Sequence, residues 1–162
     1  MKKIQEVQTK ITEADNTLLS KIDFSDTFAT TNHINTIEDV TNMVFNTTPK
    51  WVEALFKVRN SAVKLIGLKT GKPSDYSEAF IVGGYIHFFK IYAIEHNKVI
   101  LGANDSHLNF RAIVINDNTT DYNIKVTTLV EYNNLKGRIY MAIVKPFHRL
   151  VVKRMVANAY SN

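Results

Sequence analysis

From Leu135 to Tyr160 the chain reads LKGRIYMAIVKPFHRLVVKRMVANAY. At about 100° per residue its apolar side chains gather on one arc. Met141, Val144, Val151, Val152 and Met155 fall together, with Tyr140 and Phe147 at the edge, while Arg138, Lys145, Arg149 and Lys153 lie mostly opposite. The pattern predicts a long amphipathic terminal helix, and Pro146, which removes one intrahelical hydrogen bond, predicts a kink within it. His148 points into the middle of the apolar arc, between Val144 and Val152. A buried imidazole there must find a partner, because an unpaired buried polar group costs about 1–3 kcal/mol. A core histidine bonded to a backbone carbonyl meets that need, and so does a histidine overlooking a pocket.

Upstream the period changes. Ile4, Val7, Ile11, Ala14 and Leu18 recur at threes and fours, as in a helix, although an extended lead-in over residues 1–20 fits equally well. From Lys21 to Thr31 the period is two, with Ile22, Phe24 and Phe28 against Asp23, Ser25 and Thr27, which predicts a strand. Two helices follow. Thr36 and Asp39 make a capping-box start before Ile37, Val40, Met43 and Val44. Thr48 and Pro49 open the second helix and Gly67 closes it. Its apolar arc collects Trp51, Val52, Leu55, Val58, Ala62, Val63 and Ile66, with Arg59 inside it. A guanidinium so placed takes a carboxylate, carbonyl or water as partner, or snorkels to solvent.

GKPSD at 71–75 is a loop by its Gly and Pro content. Strands are then predicted at Tyr85–Glu95, Val99–Ala103, His107–Ile115 and Tyr122–Tyr132, with Glu78–Val82 as a further candidate. In the third of these, Leu108, Phe110, Ala112 and Val114 share one face, and His107, Asn109 and Arg111 the other. The connections are too short for parallel crossovers. The expected class is α+β: a curved antiparallel sheet of five to seven strands, the terminal helix across its concave face, and two shorter helices after the first strand. Residues 21–162 read as one domain behind the lead-in.

Composition adds exclusions. At 162 residues the chain can bury roughly 70% of the surface its unfolded form exposes, and 45% hydrophobic with 22% charged residues is ordinary for a globular protein. The absence of cysteine excludes disulfides and a thiol nucleophile. No apolar run follows Met1-Lys2-Lys3 and none reaches a membrane span, so a cytoplasmic protein is expected. The net charge of +5 is unevenly placed: after Glu131 there is no acidic residue, while Lys136, Arg138, Lys145, Arg149, Lys153 and Arg154 all lie on the last helix. Such a helix can dock on an anionic membrane or nucleic acid, or can simply present a solvated face whose late cations complement the helix dipole. No aromatic stacking platform or groove-reading motif accompanies the charges.

Three runs, TPKWVEALFKVRNSAVKLIGLKTG at 48–71, LGANDSHLNFR at 101–111 and GRIYMAIVKPFHRLVVKRM at 137–155, are similar to the bacterial family catalogued as domain of unknown function 2867. The resemblance covers nearly all of the chain after about Lys21. It implies the helix-grip fold of the Bet v 1 and START-like proteins, in which sheet and helix enclose an apolar cavity. Members occur alone and fused behind NAD(P)-binding domains. Here Gly83-Gly84 is not part of a G-x-G-x-x-G fingerprint, so the chain resembles the free-standing form. No activity comes with the resemblance.

The leading expectation is a small-molecule binding module. Arg59 and His148 would anchor an apolar, lipid- or polyketide-like ligand of anionic or carbonyl-bearing kind, against a lining of Phe88, Phe110, Met141, Val144 and Met155. Asp105, His107 and Arg111 are further candidates, each with a plainer reading. Asp105 can organise a turn, and His107 and Arg111 can be the solvent face of a strand. A second class is a cyclase- or hydratase-type enzyme with His148 as acid or base beside Asp105 or Glu131; it needs the pair within about 3 Å and rests on fold analogy. Docking through the basic helix is a third. No cofactor is expected. His87, His96, His107 and His148 lack metal-ligand spacing, and serine-triad, P-loop and kinase signatures are absent. Exposed sheet edges leave a homodimer open.

Overall fold

In a computed structural model, which describes residues 3–46, Lys57 and 73–161, the alternating segment after Lys21 becomes a strand and the sheet forms around it. The element order is β1 (Gln5–Glu6), α1 (Glu13–Asn16), β2 (Phe24–Thr30), α2 (Ile37–Phe45), β3 (Tyr85–Ile86), β4 (Phe89–Ile94), β5 (Lys98–Asn104), β6 (Leu108–Asn116), β7 (Ile124–Tyr132) and α3 (Leu135–Ala157). The strands make one open antiparallel sheet in the order β1-β2-β7-β6-β5-β4-β3. The fold is therefore α+β, a seven-stranded antiparallel sheet with a long C-terminal helix. The helix predicted from Thr48, with Arg59 on it, lies outside the described residues.

Local chemistry sets the helix ends. The Thr36 hydroxyl accepts from Asp39 N at 3.2 Å and the Asp39 carboxylate accepts from Thr36 N at 3.3 Å, the reciprocal box that starts α2. Asn134 caps α3 by accepting from Gly137 N at 3.2 Å. From there α3 continues for 23 residues, with Pro146 in its interior.

Register decides which side chains meet. Phe28, Val126, Val114 and Val99 form one row across β2, β7, β6 and β5. They pack with Val40, Val44 and Phe45 of α2 and with Met155 and Val156 of α3. The opposite face is also covered: Ile100, Ile113 and Leu129 pack with Leu19, and Leu18 and Ile22 lie against them. Both parities of β7 are accordingly buried, Leu129 as fully as Ile124. The lead-in is thus a short strand at the sheet edge and a single helical turn, followed by the stretch 18–22 that covers the second face, nearer the extended alternative than one longer helix.

Two strand expectations are corrected. Tyr85–Glu95 is broken into β3 and β4 by a two-residue turn, His87 and Phe88, with Ile86 opposite Phe89 and His87 at φ 54°. No glycine or asparagine marks it. Glu78–Val82 is not a strand: Ile81 N donates to Ala79 O and Gly84 N to Ile81 O, and these turns leave Ile81 and Val82 exposed.

The seat of α3 depends on a glycine. A Cβ at Gly137 would lie 1.9 Å from the His107 carbonyl oxygen and 2.9 Å from its carbon. Gly137→Ala should therefore lower stability by about 1–3 kcal/mol or more, although alanine is the better helix former by about 1 kcal/mol. Urea denaturation checks this, and an unchanged midpoint would mean that the helix start does not sit against that turn.

Asp15 gives a pH prediction. Burial raises its carboxyl, but hydrogen bonds from Lys98 Nζ (2.6 Å) and from Thr12, together with the Lys98 charge, outweigh burial and hold it below the ordinary aspartate value. The unfolded chain then binds a proton more readily than the folded one. This contribution to stability is present above the unfolded value of about 3.9 and is lost as pH falls through the folded value. Unfolding of the parent and of Asp15→Asn across the acid range should converge at low pH. Curves that stay parallel would show that the pair does not titrate this way.

Candidate functional site

One row of the helix-side face carries an acid. Asp26 stands opposite Thr128, and the row continues through Ala112, Leu101 and Ile91. Its neighbours on β2 of the same parity are Phe24 and Phe28, so a carboxylate sits in the middle of an apolar strand face beneath α3. The adjoining positions in the row, Thr128 and Ala112, have short side chains.

His148 comes down on it from α3. Its Nε2 lies 3.4 Å from Asp26 Oδ2, with side-chain exposures of 20% and 4%. That separation exceeds ordinary hydrogen-bond length. Among the described residues neither Asp26 oxygen accepts a hydrogen bond, and His148 Nε2 is buried without one. The Phe24 ring meets the imidazole edge-on, centroids 5.8 Å apart, and Lys145 Nζ lies 5.0 Å from the same ring. An acid and an imidazole with apolar walls and an unfilled acceptor are the result.

The pair sits on the seam where α3 runs along β2, close to the sheet edge. Two hollows lie near it, one at the junction of β7 with α3 and one on the seam itself. One, about 250 Å³, is lined by Lys21, Tyr132, Asn133, Asn134, Leu135 and Arg138. The other, about 160 Å³, is lined by Glu6, Phe28, Arg149, Leu150 and Lys153. On α3 the first lies before His148 and the second just beyond it.

The other predicted residues separate into groups. Met141 and Met155 are buried under α3, Met141 with Leu108 and Val130, and Met155 with the main core. Val144 is half-buried on the same helix face. Phe110 is half-buried and meets Phe89 edge-on at 5.7 Å, whereas Phe88 is exposed in the turn beside it. Asp105 accepts from Ser106 N at 2.6 Å and so organises its turn. His107 belongs to that turn and not to β6. It is buried, its Nδ1 is 3.5 Å from Asp105 Oδ2, and its ring meets Tyr140 of α3 at 4.9 Å.

Arg111 goes to the opposite face of the sheet from α3. It donates to Asn104 Oδ1 and Phe110 O, each at 2.8 Å, and stacks over Tyr92 at 3.9 Å. Gly102 lets it cross the neighbouring strand, and burial lowers its pKa. Glu131 also faces away from α3. The Ser20 hydroxyl and Asn109 Nδ2 donate to it and hold its carboxyl below the usual value. The carboxylate at His148 is therefore Asp26, in place of Asp105 or Glu131. Among the described residues no three His, Asp or Glu side chains are grouped to hold a metal ion, and no helix is long and apolar enough to cross a membrane.

The family sequence model described as a protein of unknown function (DUF2867) matches residues 18–155. The chain belongs to DUF2867. No curated protein and no solved structure matches it. The DUF2867 region begins at Leu18, where the lead-in packs on the sheet, and ends at Met155, so it contains Asp26, His148 and the whole seam between them.

If the pair serves a ligand and not the fold, replacing both members should not weaken the protein. Buried ion pairs exchanged for apolar residues are commonly neutral or stabilising by about 1–4 kcal/mol. The double variant Asp26→Val, His148→Leu is expected to unfold in urea at the parent's midpoint or above it. A loss beyond about 2 kcal/mol would make the pair a structural element of the kind whose disruption is costly.

Proposed function

We propose that this DUF2867 protein is a small-molecule binding module of helix-grip type, taking its ligand along the seam between α3 and β2. The observation that carries the reading is the Asp26 carboxylate, buried and, among the described residues, without a hydrogen-bond donor on either oxygen, with His148 Nε2 at 3.4 Å. A buried acceptor left open costs about 1–3 kcal/mol, more when charged. A ligand hydroxyl or amine would recover that cost on binding.

The ligand is then an apolar body with a hydrogen-bond donor. Phe24, Phe28 and Val144 offer the apolar contacts, and the carboxylate disfavours an acid at that position. This reading differs from the anionic or carbonyl-bearing ligand first expected from Arg59 and His148. The same pair could pass a proton between itself and a bound substrate. Binding is the reading favoured here because it needs only the open acceptor.

Long-chain alcohols and amines should raise the melting temperature of the protein, and the matched carboxylic acids should bind about tenfold or more weakly, since a hydrogen bond to a charged group contributes about 1.5–3 kcal/mol. The Asp26→Val, His148→Leu variant should lose that discrimination. Native mass spectrometry of protein isolated from its own cells should show a retained mass that the variant lacks. Equal binding of alcohols and acids, unchanged by the double substitution, would defeat the proposal.

A further inference from the structure

The outer face of α3 carries a second apolar line. Leu135, Ile139, Ile143, Phe147 and Leu150 are 69, 52, 65, 50 and 59% exposed. They follow one another at intervals of four, four, four and three, which at 3.6 residues per turn keeps them on one side of the helix. This side is opposite the arc of Met141, Val144, His148 and Met155 that meets the sheet. The line is about 24 Å long at 1.5 Å per residue. Exposed large apolar residues scattered singly are ordinary, but a contiguous line of five marks a contact surface.

Charge identifies the occupant. The helix holds Lys136, Arg138, Lys145, Arg149, Lys153 and Arg154 and no acid. Arg149 contacts Glu6 and Lys145 lies over Phe24, both toward the sheet. A second copy would set two such helices against each other with like charges opposed. By sequence, residues 47–72 carry Lys50, Lys57, Arg59, Lys64, Lys69 and Lys72 against Glu53 and so bring no complementary charge. The line is a single convex ridge of aliphatic and aromatic side chains, which needs a yielding apolar medium with anionic groups at its margins. A bilayer interface supplies both: a helix lying in its plane buries the apolar side among acyl chains and places its cations among the headgroups.

We infer that the outer face of α3 docks this protein on an anionic lipid surface, the helix lying in the plane of the interface. The inference does not rest on the ligand reading: Leu135, Ile139, Ile143 and Phe147 stand apart from the seam hollow, which Leu150 and Lys153 border, and only Leu135 borders the larger one.

Flotation with vesicles tests it, using phosphatidylcholine alone and phosphatidylcholine mixed with phosphatidylglycerol. The full chain is expected to float with the mixed vesicles and not with phosphatidylcholine. Ile143→Ser with Phe147→Ser should reduce binding at least tenfold, because two of the side chains that enter the acyl region are lost. Lys153→Glu with Arg154→Glu should reduce it as well and flatten its salt dependence. These positions are exposed, and circular dichroism confirms that each variant keeps its fold. The inference is overturned by no flotation at low salt, or by flotation that the Ser pair leaves intact. It is equally overturned if the parent is a dimer, or binds an acidic protein, through this face while ignoring vesicles.

Discussion

The helix α3 can lie where it does only because Gly137 has no side chain. Its first turn touches the backbone of the 105–107 turn so closely that a methyl group would overlap the His107 carbonyl. Packed side chains can shift by tenths of an ångström, but a backbone carbonyl that accepts from Asn133 N at 3.0 Å cannot move that far. That contact, with the Asn134 cap immediately before it, sets both the height of α3 over the sheet and its rotation about its axis. Every later residue inherits the phase. Met141 reaches Leu108 and Val130, His148 reaches Asp26, and Met155 reaches the main core. A rotation by one residue, about 100°, would bring Phe147 or Arg149 over the Asp26 carboxylate.

Much of this was legible locally. The capping box at Thr36 and Asp39, the alternation in β2, the two faces of β6 and the inward phase of His148 all follow from short-range periodicity, and periodicity is what packing against one face demands. The partner of His148 was harder to see. Asp26 shares the parity of Ile22, Phe24 and Phe28, so an acid on an apolar face was visible in the strand. The residue it would meet depends on how a distant helix crosses that strand. Arg111 shows the same limit, because its place was readable as the face opposite Phe110. Its burial depends on Gly102 opening a path across the next strand, which only the register reveals. The turn at His87 and Phe88 was hidden for a different reason. A histidine at positive φ is uncommon, and nothing else in YIHFFK interrupts the run of β-formers.

Asp26 and Arg111 are both buried charges, yet they differ in how their surroundings treat them. Arg111 has carbonyl and amide oxygens as acceptors, an aromatic ring beneath it and a glycine that makes room. Its surroundings are complete, as expected of a charge that serves the fold. Asp26 has apolar rings, short neighbours and one imidazole beyond hydrogen-bond length. A threonine or valine would fill the same strand position at less cost. The contrast separates a charge surrounded by its own partners from an acid with none at hydrogen-bond length among the described residues, and it is the reason the ligand reading rests on Asp26.

The two faces of α3 obey different constraints. The inner face must match the sheet in shape, and it does so with two methionines, Val144, Val151 and a glycine, leaving one position for His148. The outer line contributes little to folding, since its side chains remain half or more in solvent, and large apolar residues there lower solubility without adding core. Folding alone would place lysine or glutamate at Ile139, Ile143 and Leu150, as on an ordinary solvated helix. A helix apolar on two opposite sides is instead what results when one side answers to the protein interior and the other to a second apolar medium. Because one phase governs both, a protein seated on a lipid surface by the outer line would carry the seam between α3 and β2 at a fixed height above that surface, with Arg149 and Lys153 between the two.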